Sequence, residues 1–533
     1  MKLLRFFIFV ILAVSLLPSS IAAEWQWSVQ ISGIVSNETN DHPQAFLWIP
    51  SDCVQVKGVK IGTHNMTEET LFENALFREK MSEIGLALIW ITPGWDQKWD
   101  ITAGSQKAFE QMLDDFASVS GYNELKYAPI VPFGHSAMAT YPWNFAAWNP
   151  DRTLAIISLH GDAPRTNLTG YGRDNMEWGK RTIDGIPGLM IEGEYEWWED
   201  RVNPALAFRM MYPKSCVSFL CDTGRGHFDI ADRTAGYIAL FLKKALEYRM
   251  PATYDLNKPV ELKKLNGWLA ERWHPNQKKR AKATPYKEYK GDSHDAFWYF
   301  DKEMAEMTEE RYRRERGKKP QYLGFVQKGQ LLTYNPKSHV KVAARFLPEK
   351  DGLTFHLKAV YTDSLHTAIS DEHSLTSPEI TRICGPVQKV NDTTFTVRFY
   401  RMGMYNQRRT GDICLLAGND GDKHYKSTVQ ELSFRIPYRN TEGKRQHILF
   451  PGLDDVKQGT ETISLHATSD CGLPVYYYVK EGPAEIEGNK LVFTRIPPRS
   501  KFPLKVTVVA WQYGLAGEVQ TAEPVERSFF IYP

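Results

Sequence analysis

A serine, a glutamate and a histidine each follow a short apolar run in the first half of this 533-residue sequence. They are Ser136, Glu196 and His227. A serine hydroxyl becomes a nucleophile when a neutral imidazole accepts its proton, and a carboxylate fixes the imidazole tautomer and stabilises its charged form. The three residue types therefore predict a catalytic triad in which Ser136 is the nucleophile, His227 the base and Glu196 the acid.

The sequence around Ser136 predicts a strand, a tight turn and a helix. In this nucleophile elbow the hydroxyl stands above the sheet edge, and the next N–H, that of Ala137, is placed to bind an oxyanion. Met138 stands where the Gly-x-Ser-x-Gly pattern has its second glycine, so Ala139 is expected to take part of the small residue's role. The alternative is that Ser136 only caps the helix that follows.

The sequence leaves two assignments open, the acid of the triad and the second oxyanion donor. Glu194 and Asp162 compete with Glu196 as the acid, because each also lies just past a predicted strand. The second oxyanion donor is expected in the loop Gly62-Thr63-His64-Asn65-Met66, as the N–H of Thr63 or His64 or a side chain there. The alternative is that this loop is only a polar turn.

From Trp25 to Arg249, extended apolar runs alternate with amphipathic stretches. Strands are predicted over Ala45–Ile49, Val54–Ile61, Leu86–Thr92, Ala128–Phe133, Leu154–Leu159, Gly188–Glu192 and Cys216–Cys221, and helices over Thr67–Ile84, Gln106–Ser118, Ala137–Trp148, Pro204–Met211 and Ala231–Arg249. Alternation at these lengths predicts a mostly parallel sheet with helices on both faces. Ligands of such sheets bind at the carboxyl ends of the strands, where the predicted triad lies.

Residues 1–23 carry basic residues, an apolar run and a small-residue end, which predicts a cleaved signal peptide and a secreted or periplasmic protein. No later stretch is long and apolar enough for a membrane span. With 65 basic and 63 acidic side chains, the chain lacks the one-signed field of a nucleic-acid-binding protein. Its six cysteines form no CxxC pair, so neither a thiolate metal site nor a cofactor is predicted. Cys384 and Cys414 could form a disulfide or remain buried thiols.

Residues 24–310 resemble secreted α/β-hydrolase esterases. The strings that carry the resemblance are Gly134-His-Ser-Ala-Met-Ala-Thr-Tyr-Pro-Trp-Asn-Phe-Ala-Ala-Trp-Asn-Pro150, Gly193-Glu-Tyr-Glu196 and Gly226-His-Phe-Asp229. The order serine, acid, histidine is that of the α/β-hydrolases. Within that fold the chain looks most like carbohydrate esterases of bacterial polysaccharide degradation, including the pectin methylesterase branch. The resemblance implies an α/β fold of the α/β-hydrolase class.

After residue 320 the helical pattern gives way to β-branched and aromatic residues between turn residues. We predict a signal peptide at 1–23, a catalytic α/β-hydrolase domain at 24–320, a β-rich domain at 321–445 and a module at 446–533 that resembles bacterial immunoglobulin-like β-sandwiches. This all-β, sandwich-like region has no nucleophile turn and is expected to be non-catalytic. A fragment ending near Lys319 is therefore expected to keep its rate on a small ester.

Aromatic residues make up 13% of the chain, and 14 of its 15 tryptophans precede residue 300. Because aromatic faces also bind sugars, the leading hypothesis is a serine ester hydrolase that removes methyl or acyl groups from a polysaccharide or its fragments. Two alternatives stay open: an inactive hydrolase-fold protein that binds carbohydrate at a surface, and an exported serine peptidase of the same fold.

Overall fold

A computed structural model of the chain describes residues 24–533 apart from 96–97, 166–175, 197–198, 251–257, 276 and 405. The predicted signal peptide lies outside the described residues. Among the residues that are described, no helix combines the length and the apolar character that crossing a membrane requires.

An eight-stranded sheet forms the centre of the N-terminal half. Its strands are β1 (Trp27–Gln30), β2 (Gln44–Trp48), β3 (Gly58–Thr63), β4 (Leu86–Thr92), β5 (Ile130–His135), β6 (Ile156–Leu159), β7 (Pro187–Gly193) and β8 (Cys216–Asp222). Their spatial order is β1-β2-β4-β3-β5-β6-β7-β8. The first two strands pair antiparallel with their neighbours, and all pairs from β4 to β8 are parallel.

Helices cover both faces of this sheet, because its strands are apolar on both sides. The helices are α1 (Glu68–Glu73), α2 (Ala75–Ile84), α3 (Ser105–Ser120), α4 (Tyr141–Trp148), α5 (Glu199–Met211) and α6 (Asp232–Arg249). Along β4, Leu88 and Trp90 belong to one buried cluster, and Ile89 and Ile91 to the other. This strand order with two covered faces is the α/β-hydrolase fold, as the sequence predicted.

The helix predicted over 67–84 is two helices. The backbone of Asn74 is extended, at φ −64° and ψ 123°, so the first helix ends there. Its side chain accepts a hydrogen bond from the N–H of Phe77 and caps the second helix. Capping by the Asn74 side chain therefore begins a second helix at a point where the amphipathic pattern predicted one continuous helix.

Residues 264–320 pack back onto the hydrolase sheet. They form a small sheet, β9 (Trp268–Glu271), β10 (Thr284–Pro285) and β11 (Ala296–Tyr299), and a charged helix, α7 (Lys302–Glu315). Tyr312 of this helix accepts a hydrogen bond from the N–H of Cys221 at 3.1 Å. The helix therefore supports the strand that leads into the histidine loop.

Nearly all strand pairs after residue 320 are antiparallel. The strands are β12 (Tyr322–Gln327), β13 (Gln330–Leu331), β14 (Val342–Ala343), β15 (Thr354–His356), β16 (Lys358–Thr362), β17 (Glu379–Cys384), β18 (Val387–Lys389), β19 (Thr394–Val397), β20 (Asp412–Asn419), β21 (Thr428–Arg435), β22 (Ile448–Leu449), β23 (Val456–Lys457), β24 (Thr462–Ser464), β25 (Thr468–Ser469), β26 (Tyr476–Glu481), β27 (Ala484–Glu487), β28 (Lys490–Phe493), β29 (Leu504–Trp511) and β30 (Val525–Tyr532). Only the pairs β14–β21 and β23–β30 are parallel among those described. These small stacked sheets agree with the predicted sandwich-like region. Cys384 and Cys414 are opposite each other on β17 and β20 as free, buried thiols.

The last strands of the chain pack against its first strand. The N–H of Gly482 donates to the carbonyl of Trp25 at 2.9 Å. The hydroxyl of Ser28 donates to Glu481 at 2.6 Å. One buried cluster joins helix α3 to Val506, Val508 and Phe529 of the final sheet. The C-terminal region therefore shares a core with the hydrolase.

Candidate active site

Ser136 stands at the sharp turn between β5 and α4, in a backbone conformation that residues other than glycine rarely adopt. Its φ is +54°, in the left-handed region, as a nucleophile elbow requires. The turn is so tight that a Cβ on Gly134 would lie 1.9 Å from the carbonyl oxygen of Met138. Only glycine fits at that position, which explains the first glycine of the motif.

Met138 occupies the position of the missing second glycine, and the next residue, Ala139, makes the close contact that a small residue allows. The Met138 side chain extends toward the loop after β4, where a Cβ on Gly94 would lie 2.6 Å from the Met138 terminal methyl. Ala139 packs against the backbone after β6 and is completely buried. The sequence expectation that Ala139 replaces the small residue agrees with this packing.

The structure brings Ser136, His227 and Glu196 together in one chain of hydrogen bonds. The Nε2 of His227 lies 2.8 Å from the Oγ of Ser136. The Nδ1 of the same ring contacts the Oε2 of Glu196. Glu196 ends a short 3-10 turn after β7, and His227 lies in the loop after β8, so all three side chains meet at the carboxyl edge of the sheet.

The two alternative acids contact other groups. Asp162 pairs with Arg201 at 3.3 Å, and Arg201 also pairs with Glu192. Glu194 pairs with Lys426 at 2.9 Å. Neither carboxylate is the partner of His227 in this structure, so the geometry favours Glu196.

Burial sets the charge states of the triad. It holds the pKa of His227 well below its ordinary value, with smaller contributions from His339 and Arg201. Burial also raises the pKa of the Glu196 carboxyl to about 7, against the opposing charge of Arg201. The imidazole is therefore neutral at neutral pH, which is the form that accepts a proton from serine.

In the predicted oxyanion loop, the backbone N–H groups of His64, Asn65 and Met66 already donate hydrogen bonds. The backbone N–H of His64 donates to the carbonyl of Ile91 at 2.8 Å, so this N–H is not an oxyanion donor and that expectation is corrected. The His64 ring lies 2.9 Å from the hydroxyl of Thr92. Burial lowers its pKa to about 3, so the ring is neutral.

The other two predicted donors lie next to the elbow and at the end of β3. Ala137 follows Ser136 in the first turn of a helical segment, where a backbone N–H has no acceptor within the helix. Thr63 ends β3, and its hydroxyl accepts from the N–H of Trp95 at 2.9 Å. Ala137 is the oxyanion donor that we carry into the proposal, and a role for Thr63 stays a prediction.

A buried glutamate at the start of α1 joins the elbow strand to the oxyanion loop. The carboxylate of Glu68 accepts from the N–H of His135 at 2.9 Å, of Asn65 at 3.1 Å and of Met66 at 2.9 Å. Burial raises its pKa to about 7. The sequence places Glu68 beside a second glutamate, Glu69, and nothing in the pattern shows which of the two binds these N–H groups.

Within the part of the chain that the structure describes, two groups of side chains have the types and spacing of metal ligands, and neither fits a metal. In the first, His160, Glu196 and His227 lie together, but both ring nitrogens of His227 are engaged by the triad. The second is Glu271, His274 and Asp295. There the guanidinium of Arg280 binds Glu271 at 2.5 Å and contacts Asp295, so a cation already occupies the group.

The chain was compared with known proteins. No protein-family model matches it, and no curated protein matches it. Solved structures that match in part include an S-formylglutathione hydrolase from Agrobacterium tumefaciens, with TM-score 0.30 and 12% identity over 42% of this chain and 92% of that one. A dienelactone hydrolase from Anabaena variabilis has TM-score 0.28 and 15% identity, over 42% and 96%. Est1E from Butyrivibrio proteoclasticus has TM-score 0.27 and 18% identity, over 39% and 95%.

These likenesses are too weak to carry an argument about this chain. The fold is assigned instead from the strand order, the elbow after β5 and the two layers of helices. The chain has the α/β-hydrolase fold.

Proposed function

We propose that this chain is a serine ester hydrolase that uses Ser136, His227 and Glu196 as its triad. The observation that carries the proposal is the 2.8 Å contact between the Ser136 hydroxyl and an imidazole whose other nitrogen contacts a glutamate. That geometry is what a serine needs to become a nucleophile. The strained backbone of Ser136 supports the same role, since strain of this kind is concentrated at functional sites.

The reaction follows from these contacts. Neutral His227 accepts the hydroxyl proton as Ser136 Oγ bonds to the ester carbonyl carbon, and the N–H of Ala137 binds the resulting oxyanion. The carbon–oxygen bond to the alcohol then breaks, and His227 protonates the leaving oxygen. Water repeats the sequence on the acyl-enzyme and releases the acid. Glu196 holds the ring orientation and stabilises the imidazolium.

We further propose, on the resemblance of the strings around Ser136, Glu196 and His227, that the substrate is a methyl or acyl ester of a polysaccharide or its fragments, and that the enzyme acts on it after secretion or in the periplasm. The tryptophan content does not support this part. Every tryptophan within the described residues is buried or half-buried, so these rings fill cores and offer no open stacking face.

The test is a panel of short aryl esters, acetylated and methyl-esterified polysaccharides and peptides, assayed with wild type and Ser136→Ala. We expect ester hydrolysis, and its loss by roughly 10⁴-fold or more in kcat with the fold unchanged. Ser118→Ala, an exposed serine of α3, is the matched control. Residual activity above about a tenth of wild type in Ser136→Ala would place the nucleophile elsewhere. Hydrolysis of peptides alone would favour the peptidase, and no hydrolysis at all the inactive binding protein.

A further inference from the structure

The β-rich region contacts three loops of the proposed active site. Arg409 donates to the carbonyl of Asn65 in the oxyanion loop at 3.1 Å. The ring of His339 lies edge-on to His227, with 4.9 Å between centroids. The hydroxyl of Tyr195, in the acid turn, donates to the carbonyl of Ser427 at 2.9 Å. The site is therefore built from both halves of the chain.

The acid turn Glu194-Tyr195-Glu196 is held by a buried ion pair from that region. Lys426 Nζ lies 2.9 Å from Glu194 Oε1, and the side chains are only 13% and 9% exposed. The other carboxylate oxygen of Glu194 accepts from the N–H of Gly224 at 2.8 Å. One carboxylate thus joins Lys426, the acid turn and the histidine loop.

The histidine loop lies directly on the segment that carries Lys426. A Cβ on Gly224 would lie 2.3 Å from the carbonyl oxygen of Ser427. A Cβ on Gly226 would lie 2.4 Å from the Glu431 carboxylate, on β21. Because these two glycines have no side chain, the backbone on either side of Arg225 packs directly against Ser427 and Glu431. Any shift at Lys426 is transmitted to the loop that ends in His227.

We infer that Lys426 is a positioning residue for the reaction, which fixes Glu196 and His227 through Glu194; the inference rests on the proposed function. Glu196 and Glu194 lie in the same three-residue 3-10 turn, so a backbone movement at Glu194 also moves Glu196. Without the ammonium group, Glu194 is a nearly buried carboxylate with no counter-charge, and it must turn toward water. That movement takes Glu196 away from the imidazole.

The test measures how fast Ser136 reacts with a fluorophosphonate, in which the serine oxygen bonds to phosphorus and fluoride leaves. We expect Lys426→Met to slow labelling by about 10- to 100-fold, the range that a misplacement on the order of 1 Å costs a site. On an aryl ester, kcat should fall by a similar factor while KM stays within about twofold. Lys426→Arg should restore most of the rate, because it keeps the charge.

Lys423→Met is the matched control, since Lys423 is exposed on the same turn and should leave the rate unchanged. If Lys426→Met does not fold, Tyr195→Phe probes the same turn by removing only the hydroxyl that donates to Ser427. It should slow labelling several-fold. Wild-type labelling by Lys426→Met, or by Tyr195→Phe where that variant replaces it, would overturn the inference. Absence of labelling in wild type would instead overturn the proposed function, so the two failures are distinguishable.

Discussion

Ala139 and Gly161 touch so closely that a Cβ on Gly161 would lie 2.1 Å from the Cβ of Ala139. Gly161 follows β6, and Ala139 lies three residues after the proposed nucleophile. The small pair lets the segment that follows the elbow lie on the neighbouring strand. This contact performs the task of the second motif glycine and frees Met138 to pack elsewhere.

We expect Gly161→Ala to displace the elbow, because the added methyl group has no space. Overpacking of this kind costs on the order of 1–3 kcal/mol. The melting temperature and the fluorophosphonate labelling rate should both fall. The control is Gly452→Ala, where an added Cβ meets nothing within 4 Å and φ is not in the left-handed region. An unaltered labelling rate in Gly161→Ala would mean that the elbow tolerates movement of Ala139.

Neutralising the three candidate carboxylates one at a time should give three clearly different effects on kcat and stability. Glu196→Gln removes the group on the imidazole and should lower kcat by on the order of 10⁴-fold. Asp162→Asn loosens Arg201 and should affect mainly stability. Glu194→Gln keeps an acceptor for Gly224 but loses the ion pair with Lys426, so its kcat should lie between the two. The measurements are kcat on an aryl ester and thermal unfolding of the three variants side by side. If Glu196→Gln kept the wild-type kcat, the acid of the triad would be another residue.

The pH dependence should show one acidic limb. Activity requires an ionised Glu196 and a neutral His227, and burial sets the carboxyl pKa at about 7 while holding the histidine pKa lower. Values of kcat/KM should therefore rise through pH 7 and level off above it, with an apparent pKa that belongs to the pair. A pH series on an aryl ester measures this. A limb centred near the ordinary glutamate value would show that Glu196 is better solvated than its burial implies.

A fragment that ends near Lys319 should lose activity even on a small ester, contrary to the sequence expectation. Truncation removes Lys426, His339 and Arg409 from the loops they contact. It also uncovers the apolar surface of α3 that packs under the final sheet. We expect poor solubility, and labelling reduced at least tenfold in whatever folds. If a soluble fragment were labelled at the wild-type rate, residues 24–319 would be sufficient to form the site.

Sequence reasoning reached the parts of the site that depend on local pattern. Ser136 could be found because glycine and an apolar run must precede a nucleophile elbow, and His227 and Glu196 because each ends a buried strand. Lys426 and His339 could not be found, since their contacts with the site are tertiary: Lys426 pairs with Glu194, 232 residues earlier, and His339 packs on His227. Hydrophobic periodicity carries no information on such contacts. The helix break at Asn74 was missed because the amphipathic pattern continues through it.

The contact between Ser28 and Glu481 joins residues 453 positions apart. Because synthesis proceeds from the N-terminus, Ser28 leaves the ribosome 453 residues before Glu481 does. Until then the β1 side of the hydrolase sheet lacks its contacts with the β-rich region, and unpaired edges and exposed apolar faces favour aggregation. The contacts of the first strand with residues 481 and 482 should therefore form in a late folding step, after the whole hydrolase sheet has been synthesised.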